Sequence, residues 1–370
     1  MKKIIPVNEP LFKGNESKYL LDCIKSGWVS SDGAYVKKFE IQFKKKIGVK
    51  YCTTVSSGTA ALDIAIASIG LKKNDEVIIP SFTIISCLNQ VLRIGAKPIF
   101  IDSEKDNFNI CLEDLKKKIT KKTKLLIIPH IYCFAVDWDN LKKITKNIPI
   151  IEDASEVLGL KYKKKYCGSL GDISTFSFYS NKQITTGEGG MITTNNIKYY
   201  KKFLKLKNLY FKSNRFIHDD IGWNYRMSNL QAAVGLAQLE KLNETVKIRI
   251  QNGKIYNHYL KNCDQIIVPE LEKKFSKNIF WVYPIILKNK KRGVAKLVKH
   301  LRKNGIITRP MFYPLHNQPV LKKFKIKNSM RLENSEFFRN NGVYLPSGLT
   351  LKQADIKFIC SKIIDFFNAK

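Results

Sequence analysis

The sequence predicts an α/β protein, with a large domain built on a mostly parallel sheet flanked by helices and a smaller α+β domain after it. Three observations carry that expectation. The chain has 370 residues, more than one hydrophobic core usually spans. From about residue 50 to about residue 200, short apolar runs alternate with longer amphipathic stretches, the pattern of strands joined by helical crossovers. Beyond Ser228 the periodicity becomes helical before further short apolar runs return.

The elements follow in order. Tyr51 to Ser56 reads as a strand and Thr59 to Ile69 as a helix opened by Gly58. Glu76 to Ile79, Pro98 to Asp102, Leu125 to Ile128 and Ile148 to Glu152 are strand-like, each followed by a polar turn. Asp172 to Phe178 and Gly190 to Thr194 are two further strands around a glycine-rich loop, which brings the sheet to seven. Ser228 to Tyr259 reads as one long helix at the hinge, Phe280 to Leu287 as a strand, and Val294 to Asn304 as a helix. The division this suggests is a large domain over 1–245, including the N-terminal segment, and a small domain over 246–370. Ligands of such sheets sit at the carboxyl ends of the strands, so the polar residues that follow the strands are the ones to read for chemistry.

The hydrophobic fraction of 44% and the charged fraction of 26% exclude a disordered or fibrous chain. The net charge of +34 raises a nucleic-acid-binding protein as an alternative of a different class. Only nine of the 65 basic residues are Arg, although bidentate phosphate and base contacts favour the guanidinium. The lysines fall in dispersed runs such as Lys44-Lys45-Lys46 and Lys163-Lys164-Lys165, which is the pattern of solvated faces. The charge therefore points to small anionic ligands, with neither nucleic acid nor membrane as partner. The eight Cys form no CxxC pair and the five His no HxxxH pair, so neither a disulfide framework nor a metal site is expected. Pro6, Asn8 and Glu9 interrupt the N-terminal apolar run before a signal-peptide core can form, and a cytoplasmic location is expected.

Three segments carry chemistry. In Ser174 to Gly190 a strand delivers Ser177 and then Lys182 to a loop ending Gly187-Glu188-Gly189-Gly190. A lysine at a sheet edge can form a Schiff base if its surroundings favour the neutral amine. Ile148 to Glu156 is an apolar strand ending in acids, and Asp153 either faces a cofactor ring nitrogen or caps a helix. Val55 to Leu62 runs from strand through Ser57-Gly58-Thr59 into a helix, whose N-terminus offers free N–H groups to a phosphate. Lysine, acid and phosphate cup are together what pyridoxal 5′-phosphate requires.

With these segments in place, the chain resembles, nearly end to end, the fold-type I pyridoxal phosphate aminotransferases of the DegT/DnrJ/EryC1/StrS group, which aminate keto-sugars attached to nucleotides. The resemblance lies in Gly27-Trp28-Val29-Ser30-Ser31, Phe39-Glu40, Ser57 to Leu62, Pro80-Ser81-Phe82-Thr83, Glu152-Asp153-Ala154, Ser177 to Lys182, the glycine loop, Gly222 to Met227, and Pro314-Leu315-His316. It implies that Lys182 forms the Schiff base with the cofactor and Asp153 pairs with the ring nitrogen. Ser57, Gly58, Thr59 and Ser177 would hold the phosphate, and Phe82 would stack on the ring. Asn224 would reach the phosphate of a neighbouring subunit, which implies a homodimer with shared active sites. Trp28, Ser30, Arg226, Arg309, Tyr313 and His316 would contact the substrate. A member class that dehydrates its substrate has His in place of the lysine, so Lys182 favours transamination. Cys133 stands where the family commonly has Gly. Glu156 stands beside the cofactor where Gln or His is frequent, and the resemblance associates Glu there with sugar 4-aminotransferases, including GDP-perosamine synthases. The implied reaction moves the amino group of L-glutamate, through pyridoxamine phosphate, to C4 of a 4-keto-6-deoxy sugar on GDP. A dTDP- or UDP-linked sugar, or amination at C3, is the alternative.

Overall fold

The computed structural model describes residues 3–132, 134–214, 216–288, 293–326 and 330–368. Cys133, the departure at the turn after Pro129, lies outside them. The N-terminal helices α1 (Glu16–Ser26) and α2 (Ala34–Ile47) precede the first strand. The large sheet consists of β1 (Tyr51–Val55), β2 (Glu76–Pro80), β3 (Lys97–Ile101), β4 (Thr123–Pro129), β5 (Ile150–Asp153), β6 (Ile173–Ser177) and β7 (Gly190–Thr194), in the order β1-β7-β6-β5-β4-β2-β3. The pairs β3–β2, β2–β4, β4–β5 and β5–β6 are parallel, and only β7 runs against the rest. Its reversal follows from its connection: a loop rather than a helical crossover joins it to β6, and a parallel return needs a crossover.

Central strands β2 and β5 are buried along their whole length, which is why they read as continuous apolar runs rather than alternating ones. Helix α3 (Gly58–Ile69) buries Ala60, Ala61, Leu62, Ile64, Ala65 and Ile66 against this sheet, and α4 (Ser86–Ile94) follows β2. The long helix expected from Ser228 is two helices, α5 (Asn229–Glu240) and α6 (Leu242–Leu260), broken at Lys241. The Lys241 amide bonds the carbonyl of Gln238, three residues back, so the α pattern lapses there.

A second, antiparallel sheet has the order β8-β9-β11-β10, from β8 (Ile266–Ile267), β9 (Tyr283–Leu287), β10 (Arg309–Pro310) and β11 (Gly342–Leu345). It shares a core with α7 (Val294–Lys303) and α8 (Gln353–Asn368). The strand expected from Phe280 begins only at Tyr283, because Phe280 has φ +49° and turns the chain out of the ladder. Helix α6 serves both cores: Leu242, Val246 and Ile250 pack with the large sheet, Tyr256 and Leu260 with the small one. Ile5 packs in the second core and bridges to Ile306. Among the described residues no helix is long and apolar enough to cross a membrane.

Candidate active site

The strand ends and the start of α3 converge on a cavity of about 390 Å³. One side carries Ser57, Gly58, Thr59, Asp153, Glu156, Ser177 and Lys182; the other is aromatic, from Tyr132, Trp281, Phe312 and Tyr344. Lys182 reaches it from a tight turn in which its N–H donates to the Tyr179 carbonyl at 2.9 Å. Its Nζ lies 3.8 Å from the centre of the Trp281 ring. Burial pulls the lysine below its ordinary pKa, against the attraction of Glu156 and Asp153 and helped by the charge of Arg249. A desolvated amine of this kind is both nucleophile and base.

Asp153 ends β5 with its carboxylate accepting from Ser155 N at 3.1 Å, Thr175 Oγ1 at 3.4 Å and Cys87 Sγ at 3.5 Å. It is a strand-end acid, and no helix begins there for it to cap. Glu156, one turn on, accepts from the Tyr132 amide at 2.9 Å, and burial pushes its pKa from 4.5 to about 7 in spite of Lys182 nearby.

The third component is the cup at the start of α3. Ser57 caps the helix through Oγ, which accepts from Ala60 N at 3.1 Å. Thr59 Oγ1 pairs with Ser86 Oγ at 2.9 Å, placing two hydroxyls beside the helix N-terminus. Two glycines let the backbone close around it. A Cβ on Gly58 would lie 2.7 Å from Ser177 Cβ, and one on Gly190 would lie 2.5 Å from the Ser57 carbonyl oxygen. A helix N-terminus, hydroxyls and a close backbone approach suit a phosphate dianion. With the buried amine and the Asp153 carboxylate in the same cavity, the residues present fit pyridoxal phosphate.

The sequence profile of the DegT/DnrJ/EryC1/StrS aminotransferase family matches residues 10–364. The chain belongs to this family. It is 40% identical to the GDP-perosamine synthase of Vibrio cholerae, over 99% of this chain and 100% of that one. With the GDP-perosamine synthase of Escherichia coli O157:H7 the identity is 38%, over 100% of both chains. Among solved structures, the E. coli GDP-4-keto-6-deoxy-D-mannose-3-dehydratase with bound hydrated PLP superposes with a TM-score of 0.91, at 25% identity, covering 98% of this chain and 100% of that one.

Within this family member, the cavity gathers Ser57, Gly58, Thr59, Asp153, Glu156, Ser177 and Lys182 from the residues read in the sequence. Other expected residues lie elsewhere. Phe82 is fully buried among Phe108, Tyr132, Phe312 and Phe338, behind the cavity wall, and Ile84 two residues on lines the cavity instead. His316 is also buried, with Nδ1 2.5 Å from Ser81 Oγ and Nε2 3.2 Å from Glu336 Oε1. It clamps the segment after β10 to the end of β2 rather than facing substrate. Arg309 and Tyr313 are exposed and flank Pro310 and Phe312, which line the cavity.

Trp28, Ser30, Asn224 and Arg226 lie outside this chain's own cavity. The backbones of Trp28 and Ser30 are pinned to α5 by Asn229, whose Nδ2 donates to the Trp28 carbonyl at 2.6 Å and whose N–H donates to the Ser30 carbonyl at 2.9 Å. Asn224 is exposed and accepts from Arg226 Nε at 3.2 Å, and Arg226 lines a separate cleft with Asp32 and Lys207.

Sequence reasoning missed Tyr132, Trp281, Phe312 and Tyr344, which form the aromatic wall, and Arg249 behind it. The dense aromatic run Phe280 to Tyr283 was the available signal. His130, Glu152 and Cys167 also cluster within 4.8 Å. However, His130 Nδ1 accepts from Val136 N at 3.0 Å and its Nε2 meets Glu152 at 2.9 Å, so neither ring nitrogen is free for a metal.

Proposed function

We propose that this chain transfers the amino group of L-glutamate to C4 of a 4-keto-6-deoxy sugar carried on GDP, as a pyridoxal-phosphate-dependent aminotransferase of the GDP-perosamine synthase kind. The observation that carries the reading is the desolvated Lys182 amine sharing one cavity with Asp153, Glu156 and the phosphate cup. The relatives named GDP-perosamine synthase, at 38% and 40% identity over essentially whole chains, support the sugar and its nucleotide.

When bound, pyridoxal phosphate supplies an electron sink conjugated to the migrating amine. The chain's own residues do the rest. The Ser57, Thr59 and Ser177 hydroxyls and the free amides of α3 hold the phosphate. The Asp153 carboxylate holds a proton on the ring nitrogen. Lys182 Nζ takes the proton from Cα of glutamate and, in the second half, delivers one to C4 of the sugar. Between the halves, the same Ser57, Thr59, Ser177 and Asp153 contacts would keep the aminated cofactor in the cavity. The aromatic wall excludes water while this happens.

The reading includes a homodimer in which Asn224, Arg226, Trp28 and Ser30 serve the neighbouring site. It is supported by the apolar exposure around them, with Trp28 56%, Phe216 73% and Ile221 85% exposed. An anionic nucleotide-linked substrate and free cysteines fit a cytoplasmic location.

The test is the absorbance of the purified chain with pyridoxal phosphate, before and after L-glutamate, beside Lys182→Ala. A visible band that forms only with Lys182 and is lost on adding glutamate supports the reading, after which GDP-, dTDP- and UDP-linked 4-keto-6-deoxy sugars are compared as acceptors. A band indifferent to glutamate overturns the amine donor, and amination of only the dTDP or UDP sugar overturns the nucleotide.

A further inference from the structure

Behind the cavity, Arg249 is a cation buried without a counter-ion. It is 1% exposed, on α6, and among the described residues no carboxylate lies within ion-pair distance of it. Burying a charge normally requires a partner of opposite sign. Here four backbone carbonyls take its place. Nη1 donates to the Trp281 carbonyl at 2.6 Å and the Ser347 carbonyl at 3.0 Å. Nη2 donates to the Asn181 and Lys182 carbonyls, both at 3.3 Å. Nε has no partner among the described residues.

Those carbonyls are not an arbitrary set. Two belong to the turn that presents Lys182, and a third belongs to the residue whose ring lies against Lys182 Nζ. The same turn is gripped twice more, by Trp281 Nε1 and Asn8 Nδ2, each donating to the Asn181 carbonyl at 2.9 Å. A planar fork with donors on two sides can register two segments against each other, which an ammonium cannot. We propose that Arg249 is a positioning residue for the transamination: its guanidinium fixes the Lys182 turn against the Trp281 segment and so sets where Nζ stands and what field it feels.

This rests on the aminotransferase reading but goes beyond it. The ionisable groups around Nζ are Asp153, Glu156, Glu188, Tyr132, Tyr179 and Tyr344 in the cavity lining, and Arg249 behind the turn. Burial is the largest influence on Lys182; Glu156 and Asp153 then favour its charged form and Arg249 opposes it. Arg249 therefore works against the two acids, and a neutral replacement should leave the lysine holding its proton more tightly. A purely structural arginine would change stability and leave the lysine's proton affinity alone.

The experiment needs no activity in its first arm. The cofactor-free chain is acylated with an amine-directed reagent across a pH series, and Lys182 is quantified by peptide mass spectrometry against exposed lysines in the same sample. In Arg249→Gln, whose amide can still donate to a carbonyl, Lys182 reactivity near neutral pH should fall about three- to tenfold, one pKa unit being tenfold. In Arg249→Lys, which keeps the charge, it should stay within about twofold of wild type. Equal reactivity in all three proteins overturns the proposal, whatever happens to their melting temperatures. If Arg249→Gln does not fold, Arg249→Lys decides through kinetics. One ammonium cannot span both carbonyl pairs, so kcat for the glutamate half-reaction should fall about tenfold or more, with KM little changed. An unchanged kcat overturns positioning. If wild type shows no half-reaction, the aminotransferase reading fails, while the labelling arm still tests Arg249.

Discussion

Adjacent residues at the end of β5 place carboxylates in two opposite environments. Glu152 and Asp153 point to opposite faces of the sheet, as neighbours in a strand must. On the Glu152 side the carboxylate is saturated. It accepts from Gly168 N at 2.6 Å, His130 Nε2 and the Leu170 and Gly171 amides at 2.9 Å, and Ser174 Oγ at 2.8 Å. On the other side, Asp153 takes longer contacts and Glu156 takes a single amide, from Tyr132. Burial penalises both Glu152 and Glu156, but for Glu152 the His130 contact and the glycine amides outweigh it and hold the carboxyl below its ordinary pKa. For Glu156 burial wins. The number of donors, not depth, separates a structural acid from one free for proton chemistry.

The largest effect expected from this comparison is on stability. Glu152→Ala strands three backbone amides, His130 and Ser174 in a dry site, and should cost about 3–5 kcal/mol by chemical denaturation. A cost no greater than that of Asp153→Ala would break the comparison. The next effect is on chemistry. Asp153→Asn should fold with a melting temperature near that of wild type yet lose on the order of 10²–10³ in kcat, measured with glutamate as donor. The reverse pattern would mean that the two faces have been assigned the wrong way round.

Glu156 offers a test by pH. Its folded pKa lies above its unfolded one, so between 4.5 and about 7 the folded chain binds more protons than the unfolded chain. The contribution is thus fully present below the unfolded pKa and is lost as pH rises through about 7. Compared with Glu156→Gln, the cofactor-free wild type should lose relative stability across this interval, by on the order of 3 kcal/mol at pH 8. A difference between the two proteins that does not vary with pH would show that Glu156 titrates normally.

The same contrast explains what could be read in the sequence. Strands and crossovers were legible because fully buried parallel strands leave continuous apolar runs, as in Glu76 to Pro80. Lys182, Asp153 and the Ser57-Gly58-Thr59 turn were legible because each follows a strand, where ligands gather. The aromatic wall was not, because Tyr132, Trp281, Phe312 and Tyr344 arrive from four separate segments, and aromatic residues in apolar runs read as core. Phe82 shows the error in the other direction: its motif was recognised, but Ile84 is the neighbour that faces the cavity. His316 was read as polar and near substrate, and packing placed it between Ser81 and Glu336. Arg249 carried no signal of its own. Nine of the 65 basic residues are Arg, but Arg93, Arg302 and Arg339 also lie in helices and are exposed, so only its burial singles Arg249 out.

The smallest expected effect concerns Cys87, which sharpens the comparison most. Its Sγ lies 3.5 Å from Asp153 Oδ2, fully buried on α4. Burial, and then the charge of Asp153, push the thiol well up, so it stays protonated and donates. A thiol is a weak donor, and removing it in Cys87→Ala should weaken the ionised Asp153 by less than about 1 kcal/mol. The reading is a fall in kcat of about two- to fivefold with KM for glutamate unchanged. Cys87→Ser, which restores a stronger donor in nearly the same place, should recover or exceed wild type. If Cys87→Ala is instead as damaging as Asp153→Asn, the working acid depends on each of its few donors as heavily as Glu152 depends on its five, and donor number no longer distinguishes the two faces of the strand.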